Sequence, residues 1–451
     1  MNKLKEDRVT WKEKISYVVV NLGNIPITTL ISSYLLIFYT NVCGLNPAAC
    51  ATLFLIARIL DGLNDPFVGF CLDHLPNTKY GHFRPPLIVG TFLCCLNFLL
   101  LWFGPMMATG GKLVIAYISY LLIGVLFPVM DISLNSMLPV MTTDMNERNS
   151  LSAIKGFFYM IGVLAIGVAA PIILGDTSNK AGYIRLVLIV TAVVLIFSVV
   201  GTAGLKERVH PEPGKRYGVK DLFKILGEKP VWSTFLSALV YMVGFTIMNT
   251  VNTYYFTYVL GNFKLFSVVS MVQTIAIFPP MLLLGKLINK FGKKKLYIAG
   301  LATFGIFPLI RILNITSVPL LMAATILIGL GQGICMPLTY GIQADNTDYI
   351  EVKTGQRAEG AVASLSSFIT KFAMGVGGAI PGYLLAYAGF NATAAVQNDA
   401  VNTVITFCLA VVPAICCLAG TLIFGKFYPI TKEKLEEQVK VLENRRNQKA
   451  E

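Results

Sequence analysis

Four polar side chains within one apolar segment could together hold a small cation. The segment ARILDGLNDP carries Arg58, Asp61, Asn64 and Asp65. Asp61 and Asp65 are four residues apart, so they share one face of a helix, and Arg58 falls on the same side. Two ionised carboxylates on one face repel each other, and a bound monovalent cation or a shared proton relieves the repulsion. We therefore predict that Asp61 and Asp65 bind Na⁺ or H⁺ and that Asn64 adds a carbonyl oxygen.

A structural role is the alternative for this acid pair. Arg58 could neutralise a carboxylate and only hold helices together. Such a network would not need two acids for one base, so the surplus acid favours the cation site.

Three further charged residues lie inside apolar segments. An ionisable group at the bilayer centre costs at least ~2.5–3.5 kcal/mol, so such groups are retained for a reason. We expect Asp131 to contact the cation or the substrate, and Lys371 to pair with these acids or to bind substrate. Lys155 lies nearer the end of its segment, so it either binds substrate or extends its ammonium to the membrane interface.

Amide and aromatic side chains could bind a polar, ring-shaped solute. Asn21 and Asn24 lie in the first apolar segment, and Tyr255 lies in the seventh. A sugar is held by hydrogen bonds from amides and carboxylates together with an aromatic ring face. The alternative for the neighbouring tyrosines, Tyr254 and Tyr258, is an aromatic belt at the membrane interface. The sequence therefore predicts substrate contacts by Asn21, Asn24 and Tyr255.

Twelve apolar segments must position these residues. The chain of 451 residues is 55% hydrophobic and only 14% charged, whereas a soluble domain has about 25% charged residues. A membrane-spanning helix needs ~20 mostly apolar residues. The composition excludes an ordinary soluble protein and predicts an all-α membrane protein. The predicted spans lie near residues 16–41, 49–72, 86–107, 113–139, 150–174, 183–204, 231–259, 265–289, 295–313, 317–344, 360–388 and 401–426.

The net charge of +13 is concentrated in particular loops. Most of the 37 Lys and Arg residues fall in the N-terminal arm, alternate loops, the central loop and the C-terminal tail. The loops at 42–48 and 389–400 have none. Because basic loops stay in the cytoplasm, we predict a multi-pass protein of the cell membrane with both termini cytoplasmic. The charge gives no reason to invoke a nucleic-acid partner.

The sequence carries no signature of catalysis or of a bound cofactor. We recognise no nucleophile–base pair, phosphate-binding loop or metal cluster. Most of the nine cysteines lie in apolar segments, and no pair has zinc-ligand spacing with histidines, so we interpret them as packing residues. The chain is predicted not to be an enzyme, to need no cofactor, and to bind no metal beyond a possible Na⁺.

A weak internal repeat divides the chain into halves. Lys155 and Lys371 are separated by 216 residues, and the Gly69-x-x-x-Asp73 motif recurs in part at that offset. Parallel repeats with a binding site at their interface are one plan of secondary transporters. We predict an N-terminal six-helix bundle at 1–204, a cytoplasmic central loop at 205–230, a C-terminal six-helix bundle at 231–428 and a cytoplasmic charged tail at 429–451.

Three stretches resemble one transporter family. They are FYTNVCGL at 38–45, ARILDGLNDPFVGF at 57–70, and DYIEVKTGQRAEG at 348–360 followed by SLSSFITK at 364–371. Over nearly its whole length the chain resembles the glycoside–pentoside–hexuronide:cation symporters, relatives of melibiose permease in the major facilitator superfamily. The resemblance implies twelve transmembrane helices in two pseudo-symmetric six-helix bundles. It also implies uptake of a sugar or glycoside coupled to Na⁺, Li⁺ or H⁺.

The resemblance implies roles for individual residues as well. Asp61 and Asp65 take the cation, Asp131 lies close to both cation and substrate, and Lys371 lies near the cation site. Three hydroxyl residues one turn before Lys371 could contact substrate. The complete predicted sets are Asp61, Asn64, Asp65 and Asp131 for the cation, and Asn21, Asn24, Arg58, Asp131, Asn135, Lys155, Tyr255, Ser366, Ser367, Thr370 and Lys371 for the substrate.

Several positions depart from the family pattern. Galactoside-transporting members have an Asp where this chain has Ile25, a Trp where it has Asn135, and an Arg where it has Gly156 beside Lys155. Sodium-using members have a hydroxyl residue where this chain has Pro128. These departures argue against galactosides and favour H⁺ over Na⁺. The extra cationic group, Lys155, would suit an acidic substrate such as a hexuronide.

The predicted activity is symport by alternating access. A cation neutralises the acid pair, the substrate site forms, and the two halves rock about it. The predicted partners are a small-molecule solute, a monovalent cation and the lipid bilayer, and the protein is predicted to be a monomer. Charged residues on the cytoplasmic side, around a predicted loop at 345–360, form a gate; they are Asp144, Arg148, Asp348, Glu351 and Arg357.

Two alternatives stay open. One is symport of a non-sugar solute, such as an amphipathic or acidic small molecule. The other is a sensor or structural protein derived from a transporter, which would have lost site residues, whereas this chain retains both acids of the pair.

Overall fold

Long apolar sequences fold here into long helices, because only helices satisfy every backbone hydrogen bond without water. The computed structural model describes residues 9–73, 75–76, 78–142, 145–208, 224–354, 359–394, 396–438 and 440–441. Within these ranges it leaves out the side chains at 63, 65, 66, 70, 73, 139, 145, 146, 148, 149, 152, 153, 359–361, 363 and 364. The described residues form no β-strand, and their one β-bridge joins Thr78 to Gly81.

Twelve long helices follow one another along the described residues. Two of them include a π-helical turn, at Tyr255–Val259 and at Phe407–Val411, and a third includes a 3₁₀ turn at Phe307–Leu309. The helices are α1 Trp11–Asn41, α2 Pro47–Asp73, α3 Arg84–Met107, α4 Lys112–Met141, α5 Met145–Leu174, α6 Lys180–Gly204, α7 Lys229–Val259, α8 Leu265–Phe291, α9 Lys293–Leu313, α10 Val318–Thr354, α11 Glu359–Tyr387 and α12 Asp399–Phe427.

Eleven of the described helices are long and apolar enough to cross a membrane. The remaining one, α2, has 27 residues, which exceeds the ~20 that a bilayer requires. It carries Arg58 and Asp61 within its apolar sequence. The chain is therefore a multi-pass membrane protein built from helices, as its composition predicts.

One predicted boundary is wrong. The sequence predicts that the tenth span ends near residue 344 and that a loop covers 345–360, but α10 continues to Thr354. Asp345, Asn346 and Ile350 are buried in this extension. Their spacing keeps one face of the helix packed although the segment is rich in polar residues.

Helix α1 begins with a capping box. The hydroxyl of Thr10 accepts a hydrogen bond from the Glu13 N–H at 3.4 Å, and the Glu13 carboxylate accepts one from the Thr10 N–H at 2.8 Å. These reciprocal bonds satisfy two backbone donors that a helix start leaves open. Because the start is fixed, Tyr17, Asn21 and Asn24 follow at spacings of four and three on one face of α1.

The helices group into two compact units. The first contains Met1–Gly214, Phe256–Ser270 and Gly382–Asn398. Its core joins α1, α3 and α6 through aromatic rings. The Phe38 and Trp102 ring centroids are 4.8 Å apart, and Trp102 stacks on Tyr183 at 5.8 Å.

The second unit contains Lys215–Tyr255, Met271–Pro381 and Asp399–Glu451. Its core joins α7, α9 and α12. The Tyr241 ring lies 5.2 Å from Phe304, and the Tyr297 ring lies 4.7 Å from Phe424. The division into sequence halves at residues 205–230 stays a prediction about the repeat.

Candidate functional site

Asp61 lies near the middle of α2 and is only 7% exposed. One of its carboxylate oxygens accepts a hydrogen bond from Arg58 at 3.2 Å. The Arg58 guanidinium also lies over the ring of Tyr120 on α4, 6.0 Å from its centroid. A charged hydrogen bond and a cation–π contact therefore hold this buried pair.

Gly124 on α4 makes room for the Asp61 carboxylate. A Cβ atom at this position would overlap with the Asp61 Oδ1 atom. The side-chain amide of Asn64 donates a hydrogen bond to the Gly124 carbonyl oxygen at 3.1 Å. Asp61, Asn64 and Gly124 together border a small cavity of ≈ 350 Å³. The structure thus brings two of the four predicted cation residues together, and it adds a glycine that we did not predict.

The side chain of Asp65 is outside the described part of the structure, so its predicted cation contact stays a prediction. Its backbone position is one turn beyond Asp61 on α2. In the alternative interpretation, Arg58 neutralises a carboxylate and only holds helices together, and the contact between Arg58 and Asp61 fits that role. This contact pairs one base with one acid and does not involve Asp65.

Asp131, Asn135 and Lys155 form a chain of hydrogen bonds in the first unit. The Asn135 amide nitrogen donates to the Asp131 carboxylate at 3.0 Å, and the Lys155 ammonium donates to the Asn135 carbonyl oxygen. Lys155 also interacts electrostatically with Asp131. Because a carboxylate takes the NH₂ end of the amide and an ammonium takes its oxygen, the two charges fix the orientation of Asn135.

Gly124, Asp131 and Asn135 lie on one face of α4. They are spaced by seven and by four residues, which is the helical repeat. This face contacts Asp61 of α2 at one level and Lys155 of α5 at another. Helix α4 therefore links the predicted cation residues to the predicted substrate residues.

The two asparagines of α1 differ in how they are satisfied. Asn21 is buried, and its amide donates to the Tyr17 carbonyl oxygen at 2.7 Å. Asn24 is 7% exposed, and neither its amide nitrogen nor its amide oxygen has a hydrogen-bond partner among the described residues. A buried polar group without a partner costs ~1–3 kcal/mol. The predicted substrate contact of Asn24 stays a prediction.

The predicted hydroxyl residues of α11 lie in the second unit. The Ser366 hydroxyl accepts a hydrogen bond from the side-chain amide of Gln343 on α10 at 2.8 Å. Thr370 donates to the Ser366 carbonyl oxygen at 2.9 Å, whereas Ser367 is exposed. Lys371 follows on the same helix and is half-buried. Their contacts with substrate stay a prediction.

Tyr255 is packed rather than open in this structure. The residue is 1% exposed, and its hydroxyl donates to the backbone carbonyl oxygen of Ile315. A substrate could bind this hydroxyl only if that bond were exchanged. Its predicted role stays a prediction.

The predicted gate is described only in part. Asp144 and Arg357 lie outside the described residues, as does the side chain of Arg148. Asp348 and Glu351 are half-buried near the end of α10 rather than in a loop.

An ion pair that the sequence analysis missed lies near these residues. The Lys293 ammonium is 2.6 Å from the Asp345 carboxylate, which joins the start of α9 to α10. Asp345 is 6% exposed. The signal for this pair was a basic run after Gly292 and an acid in the polar extension of α10, but only the packing shows that the two meet.

Neither the cysteines nor other ligand types suggest a metal centre among the described residues. No group of three His, Cys, Asp or Glu side chains there could hold a metal ion. All nine cysteines are free thiols. Burial raises the pKa of Cys43, between α1 and α2, to about 12, so this thiol stays protonated at neutral pH. Cys71 is exposed, which is the exception to the predicted packing role.

Comparison with known proteins places this geometry among transporters. Residues 16–432 match the family described as MFS/sugar transport protein. The chain is 32% identical to an isoprimeverose transporter of Lactiplantibacillus pentosus, over 89% of this chain and 85% of that protein. It is 28% identical to a glucuronide carrier protein homolog of Escherichia coli (strain K12), over 97% of each chain. It is also 28% identical to a putative glycoside/cation symporter of the same strain, over 95% and 94%.

Solved structures agree on the fold. A D-xylose–proton symporter superposes with a TM-score of 0.67 at 15% identity, over 94% of this chain and 98% of that one. The nucleoside transporter NupG superposes with a TM-score of 0.64 at 10% identity, over 91% and 99%. Likenesses at such low identity establish the major facilitator fold and nothing about the solute.

Proposed function

Because this chain belongs to the MFS/sugar transport protein family, we propose that it is a symporter that couples uptake of a sugar, glycoside or hexuronide to a monovalent cation. The chain is a membrane transporter and not an enzyme. The coupling and the class of solute are the proposal. The coupling ion is H⁺ or Na⁺.

The observation that carries the proposal is the buried Asp61 carboxylate, which borders a cavity together with Asn64 and Gly124. The apolar stretches of α2, α4 and α5 contain three acids, Asp61, Asp65 and Asp131, and two bases, Arg58 and Lys155. One base is already committed to Asp61, and the other reaches Asp131 through an amide. A monovalent cation in this cavity would lie beside a carboxylate that favours it.

The substrate would bind beside this charge. The unpartnered amide of Asn24 offers both a donor and an acceptor to a sugar hydroxyl. The Lys155 ammonium makes no ion pair within 4.0 Å among the described residues. It could therefore form an ion pair with the carboxylate of an acidic sugar. Relatives named for a neutral glycoside and for a glucuronide fit a site that has both features.

The coupling would use the electric field of the membrane. Moving one charge through 100 mV releases ~2.3 kcal/mol, which supports a roughly fiftyfold accumulation of solute per cation. We propose that transport occurs by alternating access in a monomer of the cell membrane with both termini in the cytoplasm. Asp144, Arg148, Asp348, Glu351 and Arg357 would form the cytoplasmic gate.

Counterflow in proteoliposomes tests the proposal. Purified protein is reconstituted with an unlabelled solute inside, and uptake of radiolabelled glucosides, pentosides and uronides is followed with and without Na⁺ at two fixed pH values. We expect at least one solute to be exchanged and its concentrative uptake to depend on Na⁺ or on the pH gradient. Uptake that is flat for every sugar would contradict the proposed solute class. Concentrative uptake that depends on neither Na⁺ nor the pH gradient would contradict the proposed coupling of solute to cation.

A further inference from the structure

A long apolar groove runs along the first unit between α2, α3 and α4. Its volume is ≈ 540 Å³, within the ~300–1,000 Å³ range of pockets that hold small molecules. Its walls include Val68 and Leu72 of α2, Leu93 of α3 and Val129 of α4. Among the described residues assigned to cation or substrate binding, Asn64 alone borders it, at one end. The groove adjoins the candidate cation cavity there, because Asn64, Phe67 and Val125 line both, and the rest of it extends away from that cavity.

The groove opens away from the packed interior of the unit. Phe67 on its rim is 65% exposed and Val89 is 57% exposed. Because these helices cross a membrane, exposed apolar side chains at this depth face hydrocarbon rather than water. Whatever fills the groove must be apolar along most of its length.

The length of the groove matches one leaflet of a bilayer. It extends from Asn64 to Leu75 and Thr78, just past the end of α2. At 1.5 Å per residue, the nine helical steps from Asn64 to the end of α2 at Asp73 cover ~14 Å. Half of a ~30 Å hydrocarbon core is ~15 Å. One acyl chain would therefore run from the membrane centre to the headgroup level.

The end of the groove at the headgroup level is basic. Thr78 and His82 line it, and the exposed ammonium of Lys79 stands 5.1 Å from the centroid of the Tyr80 ring. The nearby Glu207 carboxylate is occupied, because it accepts hydrogen bonds from three backbone N–H groups at the start of α3. A negatively charged headgroup complements this mouth.

We propose that the groove binds one anionic membrane phospholipid. The acyl chain lies along α2 and ends beside Asn64, and the phosphate meets Lys79 and His82. The argument for this site does not use the proposed solute, so the site would remain if that solute were wrong.

Native mass spectrometry of the purified full-length protein tests the headgroup. The probes are phosphatidylglycerol and phosphatidylcholine with identical acyl chains at equal concentration. Wild-type protein should retain one phosphatidylglycerol about fivefold better than phosphatidylcholine. The double variant Lys79→Gln/His82→Gln should bring this ratio close to one, because it removes the basic side chains and leaves the groove intact. Equal retention of the two lipids by wild-type protein would overturn the proposal.

Filling the groove tests the position of the acyl chain. Val89→Trp blocks it from α3 and Val125→Trp blocks it from α4, so a failure of one variant to fold leaves the other. Both should lose the lipid, whereas Ile196→Trp, which adds the same ring to an exposed position of α6, should keep it. A lipid that both groove variants retain would overturn the site. A dimer that both variants dissociate would assign the groove to a second copy of the chain and would also overturn it.

Discussion

The position of Asp61 shows how a carboxylate is tolerated at membrane depth. Arg58 supplies a charged hydrogen bond at 3.2 Å. Gly124 removes a side chain so that the carboxylate can lie against α4. Burying an ionised carboxylate without such support would cost several kcal/mol. The same arrangement leaves a cavity bordered by Asp61, Asn64 and Gly124, which is where we propose that the cation binds.

Asp61→Asn should separate binding from accumulation. The amide keeps the size and a hydrogen-bonding oxygen but loses the negative charge that holds the cation. We expect solute exchange to continue and the accumulation ratio to fall from roughly fiftyfold to near one. The measurement is concentrative uptake at an imposed membrane potential, with exchange measured in parallel. Asp399→Asn, at an exposed position at the start of α12, is the matched control and should behave as wild type. A variant at position 61 that still concentrates solute would remove Asp61 from the cation site.

Gly124→Ala should weaken the same site by packing alone. The added Cβ would collide with the Asp61 carboxylate, which must rotate away from α4. Overpacking of this kind costs ~1–3 kcal/mol, so we expect the apparent cation affinity to fall at least ~5-fold. The measurement is the cation dependence of the uptake rate. Gly285→Ala is the control, because a Cβ at Gly285 meets no atom within 4 Å. Equal cation affinities for Gly124→Ala and Gly285→Ala would show that cation binding does not depend on the Asp61 carboxylate lying against Gly124.

Among the helices, α4 connects sites that lie on different neighbours. One face of it meets Asp61 of α2 and, through Asn135, Lys155 of α5. A rigid helix holds these two contacts at a fixed separation. We therefore expect a displacement of α4 at one contact to move the side chains at the other contact as well.

The loop between α2 and α3 is fixed by a residue that follows α6. The Glu207 carboxylate accepts hydrogen bonds from the N–H groups of His82, Phe83 and Arg84 at 2.7–3.0 Å. These groups belong to the start of α3, where no earlier turn can accept from them. In Arg208, the next residue, the Nη2 atom donates to both carboxylate oxygens of Glu13 of α1, at 2.8 and 2.9 Å. Glu207 and Arg208, three and four residues after the end of α6, thus tie together α1 and α3.

Glu207→Ala should destabilise the first unit. The variant leaves three N–H groups at the start of α3 without their partner. Loss of a charged cap costs ~1–3 kcal/mol, so we expect the thermal unfolding midpoint of the purified protein to fall by roughly 2–5 °C. Glu436→Ala, at an exposed position in the C-terminal tail, should leave the midpoint unchanged. An unchanged midpoint for both variants would mean that water replaces Glu207 without loss.

For the whole molecule, charge asymmetry predicts orientation. The two loops at 42–48 and 389–400 have no Lys or Arg, although the chain has 37. This bias fixes which ends of the helices stay in the cytoplasm during insertion. The predicted orientation would put the mouth of the proposed lipid groove on the cytoplasmic side, where anionic lipids create a negative surface potential.

Reporter fusions test the predicted orientation. Alkaline phosphatase inserted after Gly44 should be active because it is exported, and green fluorescent protein fused after Glu451 should fluoresce because it stays in the cytoplasm. Exchanging the two reporters should silence both. Phosphatase activity from the C-terminal fusion, or fluorescence from the insertion at Gly44, would show that the chain is oriented the other way.

The sequence by itself determined the class of this protein. In a bilayer, apolar runs of about 20 residues form helices, because a helix satisfies every backbone hydrogen bond without water. Charged residues within those runs are so costly that their presence alone marked Asp61, Asp131 and Lys155. Local motifs carried the resemblance to sugar–cation symporters, and the family match over residues 16–432 confirmed the family.

Tertiary structure decided which of these residues meet. Sequence spacing relates residues on one helix, but it contains no distance between helices. Only the packing showed that Gly124 admits Asp61, that Asn135 bridges Asp131 and Lys155, and that the Asn24 amide meets no hydrogen-bond partner in the described part of the chain. The end of α10 was wrong in the sequence analysis for the same reason, because its polar extension is stabilised by burial against other helices rather than by its own hydrophobicity.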